Sequence, residues 1–358
     1  MKHPFRLFAA LVAIAAVAYV IYRTTRHEPA TTSTSAPAAG ARVLGSAPAS
    51  APASPDTAPA GAPDTTPATQ AWPAPVPAPA TQASPADRAK AASGVQQAGA
   101  QLAAGKLVAA RGLLADALNL GALPADQVPA VRRRLIDLVG RTIFSRTVHD
   151  GDPCTFSYKI KPGDVLVRVE RAQRLRVPTQ LIANHIVNPN LDPARLQIGQ
   201  TIKLIRGPFH AVVSKSRFTM DVYLEEFGSR PPRLILARTY KVGTGKDGST
   251  PLGRWHVVHG GKTDKSTWTP TSGSNLPRKG IRWGQPGYPL GKKGYWIGLE
   301  GIAGNPHTKA DAYGIHGTND PASIGKASSM GCIRLGDSDI EEVFSLLYEH
   351  WSTVTIRP

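Results

Sequence analysis

Residues 313–335 read YGIHGTNDPASIGKASSMGCIRL and set His316 and Cys332, one of only two cysteines in the chain, among glycines and serines. A thiol is only a few per cent ionised near neutral pH, and an imidazole beside it can take its proton and return it to a leaving amine. The two positions lie too far apart to share a helix face. A strand ending at His316 and a loop returning to Cys332 would bring them together. A bend at Gly331 would expose the sulfur at a strand edge, with the Gly331 and Cys332 N–H groups free to receive an oxyanion. That combination is acyl-transfer chemistry. Two other readings stay open on these residues alone: a buried structural cysteine near an unrelated histidine, and a disulfide between Cys154 and Cys332.

The run His316-Gly317-Thr318-Asn319, then Ser323-Ile324-Gly325, then Ser329-Met330-Gly331-Cys332-Ile333-Arg334 resembles the signature of the L,D-transpeptidases, bacterial enzymes that crosslink peptidoglycan with a catalytic cysteine. Thr250-Pro251-Leu252-Gly253 is similar to a turn of the same family. The resemblance implies a mixed, mainly-β, sandwich-like catalytic domain over 208–358. It implies that Cys332 attacks the carbonyl of the third residue of a tetrapeptide stem, usually diaminopimelate, and expels the terminal D-alanine. The acyl group would then pass to the side-chain amine of a second stem, a 3→3 crosslink. In this reading His316 is general base and acid, and the Gly331 and Cys332 amides hold the oxyanion. Arg334 binds a carboxylate or fixes the loop, Thr318 and Ser329 orient His316 or line the loop, and Tyr313 and Trp283 complete the substrate-binding set. Met330 stands where relatives often carry histidine or arginine, and its thioether binds neither a proton nor a carboxylate strongly. Hydrolysis to a tripeptide, exchange with a D-amino acid, attachment of an envelope protein and a non-enzymatic glycan-binding scaffold are the alternatives.

The elements that must carry these residues can be followed along the chain. Alternating segments around Ser214–Arg217 predict a hairpin, Arg233–Val242 and Trp255–Val258 predict strands, and Trp296–Leu299 and Tyr313–His316 predict core strands delivering His316. Residues 259–298, rich in Gly, Pro, Lys and Trp, are expected to form a loop covering the donor-peptide groove. After Arg334 a helix capped by Asp337 or Ser338 and a last strand, Thr353–Ile356, close the domain.

Upstream, 155–206 predicts strand, two helices and strand, with Asp164 capping the first helix. Tyr158, Pro162-Gly163-Asp164, Asn188-Pro189 and Leu196 through Ile202 make it resemble a LysM module, which implies binding of an N-acetylglucosamine-containing glycan; Val165 replaces the usual Thr or Ser. Residues 87–147 predict a helical hairpin or three-helix unit, faintly similar to a tetratricopeptide-type repeat. There Leu107, Arg111, Leu114 and Leu118 form a stripe with a basic interruption, Pro124 and Pro129 mark a connection, and Arg132-Arg133-Arg134 form a solvated face. Residues 29–86, almost all Ala, Pro, Thr, Ser and Gly, read as a disordered spacer. Residues 1–28 carry an uncharged run, Leu7–Tyr22, flanked by basic residues, expected to be an uncleaved signal anchor, with a cleaved secretory signal at Ala13-Ile14-Ala15 as the alternative; either places the rest in the periplasm.

The formal charge of +17 is scattered rather than banded, which suits an acidic envelope polymer better than nucleic acid. No metal-ligand spacing and no phosphate-cradling loop appears, so no cofactor is expected. The expected partners are peptidoglycan stems and glycan strands, with the membrane contacted through the N-terminal helix.

Overall fold

The computed structural model describes residues 83–269 and 279–358. The expected anchor, nearly all of the spacer and positions 270–278 lie outside the described residues. Among the described residues no helix is long and apolar enough to cross a membrane.

Three helices come first: α1 (Pro85–Ala103), α2 (Leu107–Asn119) and α3 (Val128–Thr142). Ser84 caps α1 by accepting the Asp87 N–H at 3.0 Å, and Pro85 sits where its missing donor costs nothing. Leu114, Leu135, Leu138, Val139 and Ile143 enter the core as their spacing requires. Three details differ from the sequence reading. Pro129 lies in the first turn of α3 rather than in the connection, because a helix start tolerates proline. Arg132 is not simply solvated: it docks α3 on the sheet through Asp221 at 2.5 Å, while Arg133 and Arg134 are exposed. Arg111 is fully buried and pairs with Asp152 through both terminal nitrogens, at 2.9 and 2.8 Å. Its positive charge is accommodated only because that carboxylate and Thr142 Oγ1 (2.8 Å) receive it.

The next unit is β1 (Thr155–Lys159), α4 (Leu166–Ala172), α5 (Thr179–Ile182) and β2 (Thr201–Ile205), with β1 and β2 antiparallel. Asp164 does not cap α4. Its Oδ2 accepts from Lys161 N–H and Tyr158 O–H, both at 2.8 Å, and so closes the Lys161-Pro162-Gly163 turn; Val165 becomes the N-cap residue. The buried Asn188 amide joins α5 to β2 by donating to the Ile182 and Lys203 carbonyls and accepting the Lys203 N–H.

The C-terminal strands are β3 (Phe209–Ser214), β4 (Thr219–Glu225), β5 (Leu234–Lys241), β6 (Thr244–Gly245), β7 (Gly253–Thr263), β8 (Trp296–Ile302), β9 (Gly314–Gly317), β10 (Ala327–Ser329), β11 (Ile333–Leu335) and β12 (Thr353–Arg357), with α6 (Asp337–Leu346) before the last. Among the described residues they form one mixed sheet ordered β11-β9-β8-β7-β12-β3-β4-β5, and a short parallel pair, β10-β6. Ile333 and Leu335 at one end and Ile235 and Leu236 at the other belong to one contiguous core, the arrangement expected of a sandwich-like domain. Every residue of β3 is buried, so its alternation is not an inside–outside pattern: helices and sheet cover both faces. β7 runs beyond the expected Val258 into the expected loop, with a register shift between Val257 and Lys262. Gly336, not Asp337 or Ser338, is the N-cap of α6.

The upstream units pack tightly on this domain. Arg206 lies over the rings of Phe156 (4.3 Å) and Phe227 (4.6 Å), and Tyr348 donates to Glu170 at 2.6 Å. Asp116 on α2 receives Arg233 beside β5 at 2.7 and 2.9 Å.

Candidate active site

Parallel pairing of β11 with β9 builds the site. The register couples Ile333 to Ile315, Arg334 to His316 and Leu335 to Gly317, which sets Cys332 level with Gly314. Side chains alternate along a strand, so Cys332, Arg334 and His316 share one face while Ile315, Ile333 and Leu335 point into the core.

His316 is buried, stacked on Trp296 at 5.7 Å, and its Nδ1 lies 2.5 Å from the Gly317 carbonyl. A carbonyl only accepts, so Nδ1 carries the hydrogen and Nε2 keeps the lone pair. Burial, with a smaller contribution from the Arg334 charge, pushes the imidazole down to about 4, against the opposing pull of Gly317. Cys332 is partly exposed as a residue, yet desolvation of its sulfur pushes the thiol up to about 11, against the Gly314 N–H and the Arg334 charge, which favour thiolate. At neutral pH the resting pair is therefore a thiol and a neutral imidazole, not an ion pair.

The loop holding the cysteine is tied from several sides. Ser329 Oγ donates to the Cys332 carbonyl at 2.6 Å and accepts the Gly331 N–H at 3.1 Å. Thr250, 1% exposed, donates to the Gly331 carbonyl at 2.8 Å and accepts the Gly245 N–H at 2.7 Å. Gly331 itself has φ +132°, and a Cβ there would stand 2.8 Å from the Tyr313 ring. Only glycine fits that bend.

These contacts revise several sequence-based roles. The Gly331 N–H is engaged by Ser329, so it is not a free oxyanion donor, and the Cys332 N–H is left as the candidate. The Ser329 hydroxyl donates and accepts within the turn, which fits its reading as a loop-lining residue. Thr318 Oγ1, buried, accepts the Asp320 N–H at 3.1 Å within the loop, and the partner of the His316 Nδ1 is the Gly317 carbonyl. Tyr313 packs edge-on against Trp255 (5.5 Å) and backs Gly331. Arg334 has an Nε that is buried without a hydrogen-bond partner among the described residues. Trp283, 41% exposed, lies in a separate cleft with Thr318. Cys154 and Cys332 are both free thiols, which removes the disulfide reading. Met330 is exposed beside the site. Thr250, Trp296 and the backbone groups of Gly314 and Gly317 are the contributors not singled out as site residues from sequence. Thr250 and Gly317 do stand within the two quoted motifs.

Residues 208–356 match the YkuD family of L,D-transpeptidase catalytic domains. The putative L,D-transpeptidase YkuD of Bacillus licheniformis is 30% identical over 208 residues, covering 56% of this chain and 98% of that protein. The chain belongs to the L,D-transpeptidase family. Its YkuD-type catalytic domain is the sandwich-like domain described above, and the protein is an enzyme of that family. A second YkuD, from Bacillus subtilis, is 31% identical over 199 residues, 53% of this chain and 93% of the relative. Both alignments take a larger share of the chain than residues 208–356 make up. An L,D-transpeptidase structure from Mycobacterium smegmatis is 15% identical with a TM-score of 0.28, covering 45% of this chain and 65% of that one.

Proposed function

We propose that this L,D-transpeptidase acts through Cys332 on peptidoglycan stems and forms 3→3 crosslinks. The observation that carries the reading is the register pairing of β9 with β11, which sets the thiol and an Nε2 lone pair on one sheet face. As Sγ attacks the carbonyl of the third stem residue, its proton passes to His316 Nε2. The oxyanion is met by the Cys332 N–H, and the adjacent Arg334 charge stabilises it. Collapse expels D-alanine, whose nitrogen takes the proton back from Nε2, and leaves a thioester. The amine of a second stem then attacks, His316 again accepting a proton, and the thiol is regenerated. Thr250 and Ser329 act as positioning residues that hold the loop.

The unit 155–206 serves, in this proposal, as a LysM-like glycan-binding module, supported by its strand–helix–helix–strand order and by family likeness reaching beyond the catalytic segment. An N-terminal anchor would hold the enzyme at the periplasmic face of a membrane, with 29–86 as spacer and 87–147 as a packing unit.

Product analysis tests the crosslinking step. Incubation with a disaccharide tetrapeptide should release D-alanine and accumulate a 3→3 dimer, and Cys332→Ala should do neither. Tripeptide as the sole product would replace crosslinking by hydrolysis.

A further inference from the structure

A cleft of about 470 Å³ opens beyond the C-terminal end of β9, between the segment 283–292, the residues following His316, and the first residue of α6. Its lining includes Trp283, Gln285, Gly291, Thr318, Asn319 and Asp337. The cleft is built rather than incidental. Gly291 has φ +75°, and a Cβ there would crowd the Thr318 N–H at 3.0 Å and collide with Asp337. Asp337 Oδ1 accepts the Lys292 N–H at 3.0 Å, and Trp283 Nε1 donates to the Lys292 carbonyl at 2.9 Å. Lys265 lies over the indole at 5.1 Å, so the ring is held while 41% of Trp283 stays exposed. An anchored, open indole beside amide and carboxylate side chains suits a ring with one apolar face and several hydroxyl and acetamido groups.

The position of the cleft says which part of a substrate reaches it. Cys332 is level with Gly314, and the cleft begins at Thr318, four residues further along the strand direction. At about 3.3 Å per residue the two are roughly 13 Å apart. On the leaving side of the attacked carbonyl a tetrapeptide stem has one residue, about 3.5 Å long. On the other side three residues span about 10 Å, and the sugar follows.

We infer that this cleft is a sugar subsite of the catalytic domain, taking the N-acetylated sugar that bears a stem peptide reacting at Cys332. The inference rests on the transpeptidase reading. The sugar belongs either to the donor stem or to the acceptor stem, which has a similar reach beyond its amine.

The test compares a disaccharide tetrapeptide with the free tetrapeptide on the full-length enzyme, following acyl-enzyme formation by intact mass in single turnover and then transfer to each form as acceptor. The sugar should raise the rate constant per mole of substrate about two- to tenfold, the size of one stacking contact. An advantage in acylation assigns the donor sugar, and one confined to transfer assigns the acceptor. Trp283→Ala should bring the ratio of the two substrates to about one, and Trp283→Phe should recover most of it. A wild-type ratio of one in both steps, or a ratio unchanged in Trp283→Ala, overturns the subsite while leaving the transpeptidase reading intact. Absence of any acyl adduct with either substrate overturns both.

Discussion

In the upstream platform, buried charge is densely partnered. Arg111 meets Asp152 and Thr142, and Lys203 Nζ donates to the carbonyls of Thr142 (2.6 Å), Ser145 (3.0 Å) and Thr147 (2.7 Å). At the β9–β11 edge the candidate catalytic groups are desolvated and more lightly held: a neutral thiol with a long 3.8 Å contact to the Ala312 carbonyl, and an imidazole bonded on one nitrogen. Deep burial of a paired ion fixes one packing and punishes its loss. Burial of a lightly held thiol and a neutral imidazole holds them in the protonation states that acyl transfer starts from. The two regions use the same low-dielectric interior for opposite ends, and the following experiments can break that contrast.

The largest effects belong to the site. Cys332→Ala should abolish acylation, and His316→Gln should slow it about 10²–10⁴-fold, the usual worth of a positioned acid–base, with little change in melting temperature. Retention of the wild-type rate in His316→Gln would end the assignment of the base. In the platform the expected loss is of stability. Arg111→Met strands the Asp152 carboxylate in the core and should cost about 3–5 kcal/mol in denaturant unfolding, with the rate per folded molecule kept. A loss of rate without loss of stability would make the platform part of the chemistry.

Thr250 lies between these extremes. Thr250→Val leaves the Gly245 N–H and the Gly331 carbonyl without their partner, and should cost about 1–3 kcal/mol and lower the acylation rate, while Thr250→Ser keeps both. Equal behaviour of the two variants would mean that the hydroxyl does not hold the loop.

The pH profile should show the smallest and most diagnostic effect. His316 must be neutral to accept a proton, so with its imidazole near 4 the acid limb of acylation should fall near pH 4 rather than 6.5. The thiol, pushed up to about 11, should be alkylated by iodoacetamide with a rate that keeps rising well above pH 9. The same imidazole affects stability: between 4 and 6.5 the unfolded chain binds more protons, so stability falls as pH drops through that window. An acid limb at 6.5 would indicate a hydrated, ordinary histidine.

Much of this was legible in the sequence. The helices follow from apolar spacing, the hairpin from its alternation, and the family from the motifs around residues 316 and 332. What escaped depended on distant partners. Arg111 looks like an interruption on its own helix because Asp152, which makes it a core residue, lies far along the chain. Asp164 has the residue type of a cap, and the choice between helix N–H and turn N–H was decided by Tyr158. Gly331 reads from sequence as a free hydrogen-bond donor, but the serine two residues before it already uses that hydrogen. Trp296 is legible as a strand residue, but its stacking on His316 follows from the β8–β9 register, which local pattern does not encode.

The most direct test is the intact mass of the purified enzyme after rapid mixing with a disaccharide tetrapeptide at pH 7. The account predicts a transient adduct of the substrate minus D-alanine, mapped to Cys332 and absent in Cys332→Ala. Release of D-alanine by Cys332→Ala at the wild-type rate, or an adduct mapped to any other residue, would contradict it.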